Sequence, residues 1–218
     1  FWVVVSLKTE NKGAEKKAAT VFSFYTTLIF RLFYGTLIFR DRGRVFFTGR
    51  LLKTQKYTNR LKKIHKHLIL NQNPLNPKEA TNKTPTPLGS IGVALNGVSF
   101  YNQYAGPNNQ PLTDEINSFD QYGGHPTGQK VYHYHLEPYY LTTEQGNDAL
   151  MGFLLDGFPV YGPEENGERV TNSDLDEYHG HNHKTADYPD GIYHYHITDA
   201  DPYINGSGYF GTPGTVTQ

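Results

Sequence analysis

Apolar positions in this chain come in short runs, and polar or turn-forming residues cut most of them off after four or five positions. Ile91–Leu95 and Val98–Tyr101 flank Asn96-Gly97; Phe153–Leu155 and Phe158–Tyr161 flank Asp156-Gly157. Asn-Gly or Asp-Gly between apolar runs predicts a hairpin with a type I′ turn, which needs positive φ at both central residues. Pro159, just after the second turn, predicts an edge strand there. Tyr132–Leu136 and Tyr193–Thr198 are short, aromatic-rich and bounded by Gly and Pro, as strands are. Helical spacing is scarce; Leu141–Leu150, capped by Thr142 or Thr143, is the best short candidate.

The pattern repeats. Met151-Gly-Phe-Leu-Leu-Asp-Gly-Phe-Pro-Val-Tyr161 matches Ile91-Gly-Val-Ala-Leu-Asn-Gly-Val-Ser-Phe-Tyr101. Leu175-Asp-Glu-Tyr-His-Gly-His181 matches Phe119-Asp-Gln-Tyr-Gly-Gly-His125. Tyr-His-Tyr-His occurs at Tyr132–His135 and again at Tyr193–His196. Two units of this kind predict an internal duplication: a mainly β fold of two pseudo-symmetric units closing one sandwich- or barrel-like domain.

Composition and charge divide the chain. Residues 1–70 carry 15 Lys and Arg against 3 Asp and Glu, whereas residues 71–218 carry 5 against 18. Val21–Phe39 is long and apolar enough for a signal or membrane anchor, but Arg31 sits in its middle, where charge is costly in lipid. Residues 1–70 therefore read as a signal, anchor or non-native upstream segment. Residues 71–87, rich in Asn, Pro and Thr, read as a linker, and the domain is expected over 88–218. The basic run Arg60–His67 reads as a solvated charge run rather than a nucleic-acid surface.

Eight of the ten histidines lie between His125 and His196, and the chain has no cysteine. On a strand, alternate side chains share a face, so both histidines of each tetrapeptide point one way and both tyrosines the other. The candidate ligands are His125, His133 and His135 in the first unit and His181, His194 and His196 in the second. Neutral imidazoles in threes suit a transition metal, with zinc or copper favoured. Asp120 and Asp176 each precede a loop histidine by five residues and, with His179 and His183, stand as further ligands or as acceptors fixing the imidazoles. The alternatives are a metal-dependent hydrolase or oxidase with Asp120 or Asp176 as base, and a surface or adhesion module in which histidines and tyrosines only form a hydrogen-bonded ladder. No nucleophile elbow, phosphate-binding loop or dinucleotide fingerprint occurs.

The ordered pieces Gly123-Gly-His125, Tyr132-His-Tyr-His135, Leu155-Asp-Gly-Phe-Pro-Val-Tyr-Gly-Pro163, Gly180-His181, Gly191-Ile-Tyr-His-Tyr-His196 and Pro202-Tyr203 resemble the YHYH domain family over about Leu88 to Gly211. The resemblance implies a secreted or surface-associated bacterial protein, hence an extracytoplasmic location; metal sequestration or delivery is the role expected from the histidines themselves. Relatives often carry Cys near the positions of Tyr178 and Ser207; this chain does not, so the cross-link implied for them is absent. The resemblance implies no defined reaction.

Overall fold

The computed structural model describes residues 70–217 and, as backbone only, three strands at 31–33, 36–41 and 44–48. In chain order the strands are β1 (Arg31–Phe33), β2 (Thr36–Asp41), β3 (Arg44–Thr48), β4 (Leu70–Pro74), β5 (Glu79–Pro85), β6 (Gly92–Ala94), β7 (Ser99–Phe100), β8 (Tyr104–Ala105), β9 (Gln110–Pro111), β10 (Gly124–Pro126) and β11 (Tyr132–Tyr134). A short helix, α1 (Tyr139–Gln145), leads to β12 (Leu150–Leu154), β13 (Pro159–Tyr161), β14 (Glu164–Glu165), β15 (Glu168–Arg169), β16 (Gly180–His183), β17 (Ile192–His196), β18 (Gly208–Gly211) and β19 (Thr215–Thr217). The fold is mainly β and divided among several sheets.

The largest sheet has eight strands in the order β10-β11-β7-β6-β12-β13-β17-β16. It is open, ending at β10 and β16, and no closed barrel forms among the described residues. At its centre β6 and β12 run antiparallel with Val93 opposite Phe153. Leu95 donates its N–H to Met151 O at 2.8 Å, and Leu155 donates to Ile91 O at 2.9 Å. The two bonds are equivalent: the donors Leu95 and Leu155 stand sixty apart in sequence, and so do the acceptors Ile91 and Met151. Outward from this pair, each side continues with a hairpin partner, a parallel neighbour carrying Tyr-His-Tyr-His, and an antiparallel edge strand.

The centre is tight because it is built on glycine. A Cβ on Gly92 would lie 2.5 Å from Phe153 O, and one on Gly152 would lie 2.2 Å from Val93 O. Beneath this sheet Ile91, Phe100, Leu141, Met151, Leu154, Tyr195, Ile197 and Ile204 are essentially inaccessible to water. Apolar burial of this kind supplies the main driving force for the fold.

Several local expectations change. Both predicted hairpins form, but not with type I′ turns. Only Gly97 (φ 82°) and Gly157 (φ 88°) have positive φ, and their N–H groups donate back to Ala94 O and Leu154 O. These are three-residue loops with glycine at the left-handed position. The type I′ turn lies elsewhere, between β14 and β15, where Asn166 (φ 53°) and Gly167 (φ 85°) are both positive.

Pro159 is not on an edge: β13 runs between β12 and β17, and Pro159 is tolerated as the first residue of its strand. The helix starts two residues earlier than expected, behind Pro138, and stops at Gly146 (φ 106°). Thr142 is not its cap; its Oγ1 donates to Glu137 Oε1 at 2.6 Å.

Residues 71–87 contain β4 and β5, which pair with β19 and β18. The polar side chains of β5 are mostly exposed, whereas in β4 Asn71 and Asn73 are buried and Asn73 Nδ2 donates to Leu154 O at 2.7 Å; composition alone reads as a linker. Most of Val21–Phe39 lies outside the described residues; 31–33 and 36–39 within it are strand. Among the described residues no helix is long and apolar enough to cross a membrane.

Candidate metal centre

A single row of cross-strand neighbours runs the width of the large sheet. His125 is opposite His133, His133 is level with Ser99, Ser99 is opposite Val93, and Val93 is opposite Phe153. Phe153 is opposite Pro159; Val160 level with Tyr195 puts Pro159 beside His194, which is opposite His181. Paired residues share a face, so both histidine groups lie on one side of the sheet, at its opposite ends. The strands β11 and β17 are five inter-strand steps apart, which at about 4.8 Å each gives roughly 24 Å. The histidines therefore form two separate clusters.

In the first cluster His125 Nε2 is 3.0 Å from His133 Nε2, which is 2.9 Å from His135 Nε2. All three rings are buried. Their outer nitrogens decide the chemistry. His133 Nδ1 faces Val131 O at 3.2 Å and His135 Nδ1 faces Asn102 O. A carbonyl only accepts, so both Nδ1 atoms carry the proton. Ser118 Oγ, 2.7 Å from His125 Nδ1, spends its own proton on Glu115 O at 2.6 Å, so His125 also donates from Nδ1. Neutral imidazole has one N–H, and in all three rings it points outward. Three bare Nε2 lone pairs then face one another at about hydrogen-bond distance with no proton between them.

The second cluster repeats this arrangement. His194 Nδ1 donates to Ile192 O at 2.9 Å, His196 Nδ1 to Gly162 O at 2.8 Å and His181 Nδ1 to Asp174 O at 3.3 Å. His181 Nε2 and His194 Nε2 are 3.1 Å apart. Among the described residues the buried Nε2 of His196 has no hydrogen-bond partner. Glu165 joins this cluster, with Oε1 3.6 Å from His181 Nε2 and 3.7 Å from His194 Nε2. One ligand atom from each of Glu165, His181, His194 and His196 lies within 4.8 Å of all the others, as do those of His125, His133 and His135.

The rings resist protonation. Burial, then the neighbouring His135, pushes His125 down to about 4; burial with both neighbours takes His133 to about 2; burial takes His135 to about 4. His196 is pushed to about 4 by burial, and His181 and His194 are lowered for the same first reason. Near neutrality no extra proton relieves the converging lone pairs.

The tyrosines point the other way, as the alternation predicts. Tyr134, Tyr193 and Tyr195 belong to the buried core. Asp120 and Asp176 do not reach the imidazoles. Asp120 accepts from Tyr132 Oη at 2.9 Å and from the N–H of Tyr122 and Gly124; Asp176 accepts from Tyr193 Oη at 2.8 Å and from the N–H of Tyr178 and Gly180. Each aspartate folds back over its own turn and ties it to the tyrosine face.

His179 also lies outside the cluster. It occupies the left-handed position (φ 72°) filled by Gly123 (φ 78°) in the first half, and its Nε2 meets Thr198 Oγ1 at 3.0 Å. His183 is exposed and holds Glu165, with Nδ1 3.0 Å from Oε2. Burial pushes the Glu165 carboxyl up, but the His183 bond and the nearby imidazoles outweigh this and hold it below the usual range.

Glu165 and Glu115, whose Oε1 is 3.3 Å from His125 Nε2, were not anticipated. The Asn166-Gly167 pair just after Glu165 was the available signal: it marks a tight hairpin with Glu165 as the last residue of its first arm.

The donor set fits a metal. With Zn–N bonds of about 2.0–2.1 Å, tetrahedral angles separate two ligand nitrogens by about 3.3 Å and right angles by about 2.9 Å. The Nε2 pairs at 2.9–3.1 Å fall at the lower end of that span. The sequence model of a family described as YHYH protein matches residues 71–170 and 163–208. No curated protein and no solved structure matches the chain.

Proposed function

The chain belongs to the YHYH protein family, and from that premise we propose that it is a metal-binding domain holding two transition-metal ions, zinc or copper favoured, one at each end of the large sheet. The observation that carries this reading is the tautomer pattern. Six imidazoles each face a carbonyl or hydroxyl oxygen with Nδ1, leaving Nε2 to the cluster. This is the outer-partner arrangement that orients metal-ligating histidines. A histidine–tyrosine ladder would satisfy its own lone pairs, and these clusters do not.

We take the two halves to derive from an internal duplication. The sequence matches, the equivalent strand order on either side of Val93 and Phe153, and the two like clusters support that reading. Sequestration or delivery of the metal outside the cytoplasm is the role proposed, with extracytoplasmic placement resting on the family resemblance. A hydrolase with Asp120 or Asp176 as base is disfavoured, since both carboxylates are engaged with tyrosines.

Elemental analysis tests the binding claim. The full chain, equilibrated with zinc or copper and desalted, is expected to retain about two ions. Absence of retained metal, with thermal stability unmoved by either ion, would contradict it.

A further inference from the structure

The two clusters differ in the groups around them. Glu165, on the arm of the β14–β15 hairpin, gives the second cluster a carboxylate among its imidazoles. The residue sixty positions earlier, on the arm of the β8–β9 hairpin, is Ala105. In the first cluster the nearest carboxylate, Glu115, touches only His125.

Aromatic rings wall the first cluster. Tyr101 stacks on His133 with centroids 3.9 Å apart, and Phe119 lies parallel to His135 and edge-on to His125. In the second half Tyr161 takes the place of Tyr101, edge-on to His194 with centroids 5.1 Å apart, but the residue matched to Phe119 is Leu175. His125, His133 and His135 are 5%, 2% and 3% exposed and His194 and His196 are 0% and 1%; the second cluster meets water at His181 and Glu165, whose side chains are 14% and 20% exposed.

These surroundings set different electrostatic costs. Taking an ion out of water costs energy that grows with the square of its charge, so a dication pays about four times what a monocation pays at the same radius. The first cluster offers three neutral nitrogens, and its one nearby carboxylate, Glu115, bears on His125 alone. The second offers a central carboxylate held by His183 and open to solvent. Imidazole accepts copper and zinc alike, so ion charge becomes the discriminator.

Resting on the two-site reading above, we propose that the chain sorts ions by charge: copper(I) at His125, His133 and His135, and a divalent ion such as zinc at Glu165, His181, His194 and His196. The test is an anaerobic competition on the full chain with copper(I) and zinc(II), each buffered by a chelator. One ion of each is expected. His133→Ala with His135→Ala removes copper and keeps zinc. Glu165→Ala, at a partly exposed position that leaves the core intact, weakens zinc by more than about tenfold and leaves copper within about twofold. Zinc filling both clusters with comparable affinity, copper(I) displacing zinc from both, or Glu165→Ala weakening both ions alike would overturn the sorting while leaving metal binding standing. Retention of neither ion would overturn both.

Discussion

His133 and His135 bring their Nε2 atoms to 2.9 Å of each other while their Nδ1 atoms face the carbonyls of Val131 and Asn102. Two neutral rings so oriented repel rather than bond, and the backbone that holds them spends folding free energy to do so. A bound cation turns that cost into ligation, so metal stabilises the folded state by mass action. Saturating zinc or copper is expected to raise the unfolding temperature, and a chelator to reverse the rise. A melting curve indifferent to both would contradict this.

The clusters are expected to act independently, being roughly 24 Å apart with no shared side chain. Replacing His133 and His135 by Ala should remove one ion per chain and leave the other's affinity within about twofold. Replacing His194 and His196 should do the converse. Loss of both ions from either pair, in protein that remains folded by circular dichroism, would sink the two-site account.

Gly124 and Gly180 precede the loop histidines where the edge strands cross the tyrosines. A Cβ at Gly180 would meet His194 O and Tyr193 Oη at 2.5 Å, and one at Gly124 would meet Tyr132 Oη at 2.6 Å. Gly180→Ala therefore forces β16 away from β17 and should cost about 1–3 kcal/mol in urea unfolding, with weaker metal binding at that end only. An unchanged midpoint would show that the edge strand is looser than described.

Asp156 sets a pH dependence of its own. Burial pushes its carboxyl up to about 6, against bonds donated by Tyr195 and by the N–H groups of Gly211 and Phe158. A folded-state value above the unfolded one means the protonated form fits the fold better. This contribution is fully present below about pH 4 and is lost as pH rises through about 6. Taken as the difference between wild type and Asp156→Asn, stability measured from pH 4 to 7 should fall with rising pH in the wild type. Parallel pH profiles would contradict it. Histidine effects cancel in that difference.

The histidine faces were legible because strand alternation fixes which side chains share a side, and the repeated tetrapeptide supplied the frame. Four of the six imidazoles lie in it, and the repeated Gly-His upstream supplied His125 and His181. What escaped were groups placed by turns. Glu165 sits on the first arm of the Asn166-Gly167 hairpin, and Asp120 and Asp176 accept from the N–H groups of the turns that follow them and from the tyrosine hydroxyls, away from the histidines they precede. The two hairpins at Gly97 and Gly157 were predicted in place but not in type, since only one residue of each loop takes positive φ. Pro159 misled because its missing N–H falls at a strand's first residue, where no ladder bond is lost. The polar strands β4 and β5 carry no apolar run to announce them.

The most direct measurement is the imidazole nitrogen spectrum of uniformly 15N-labelled full chain, recorded before and after adding zinc. His125, His133, His135, His181, His194 and His196 are expected to carry their proton on Nδ1 throughout, and zinc is expected to move Nε2 resonances to metal-bound positions. Rings protonated on Nε2, with spectra unchanged by zinc, would contradict this.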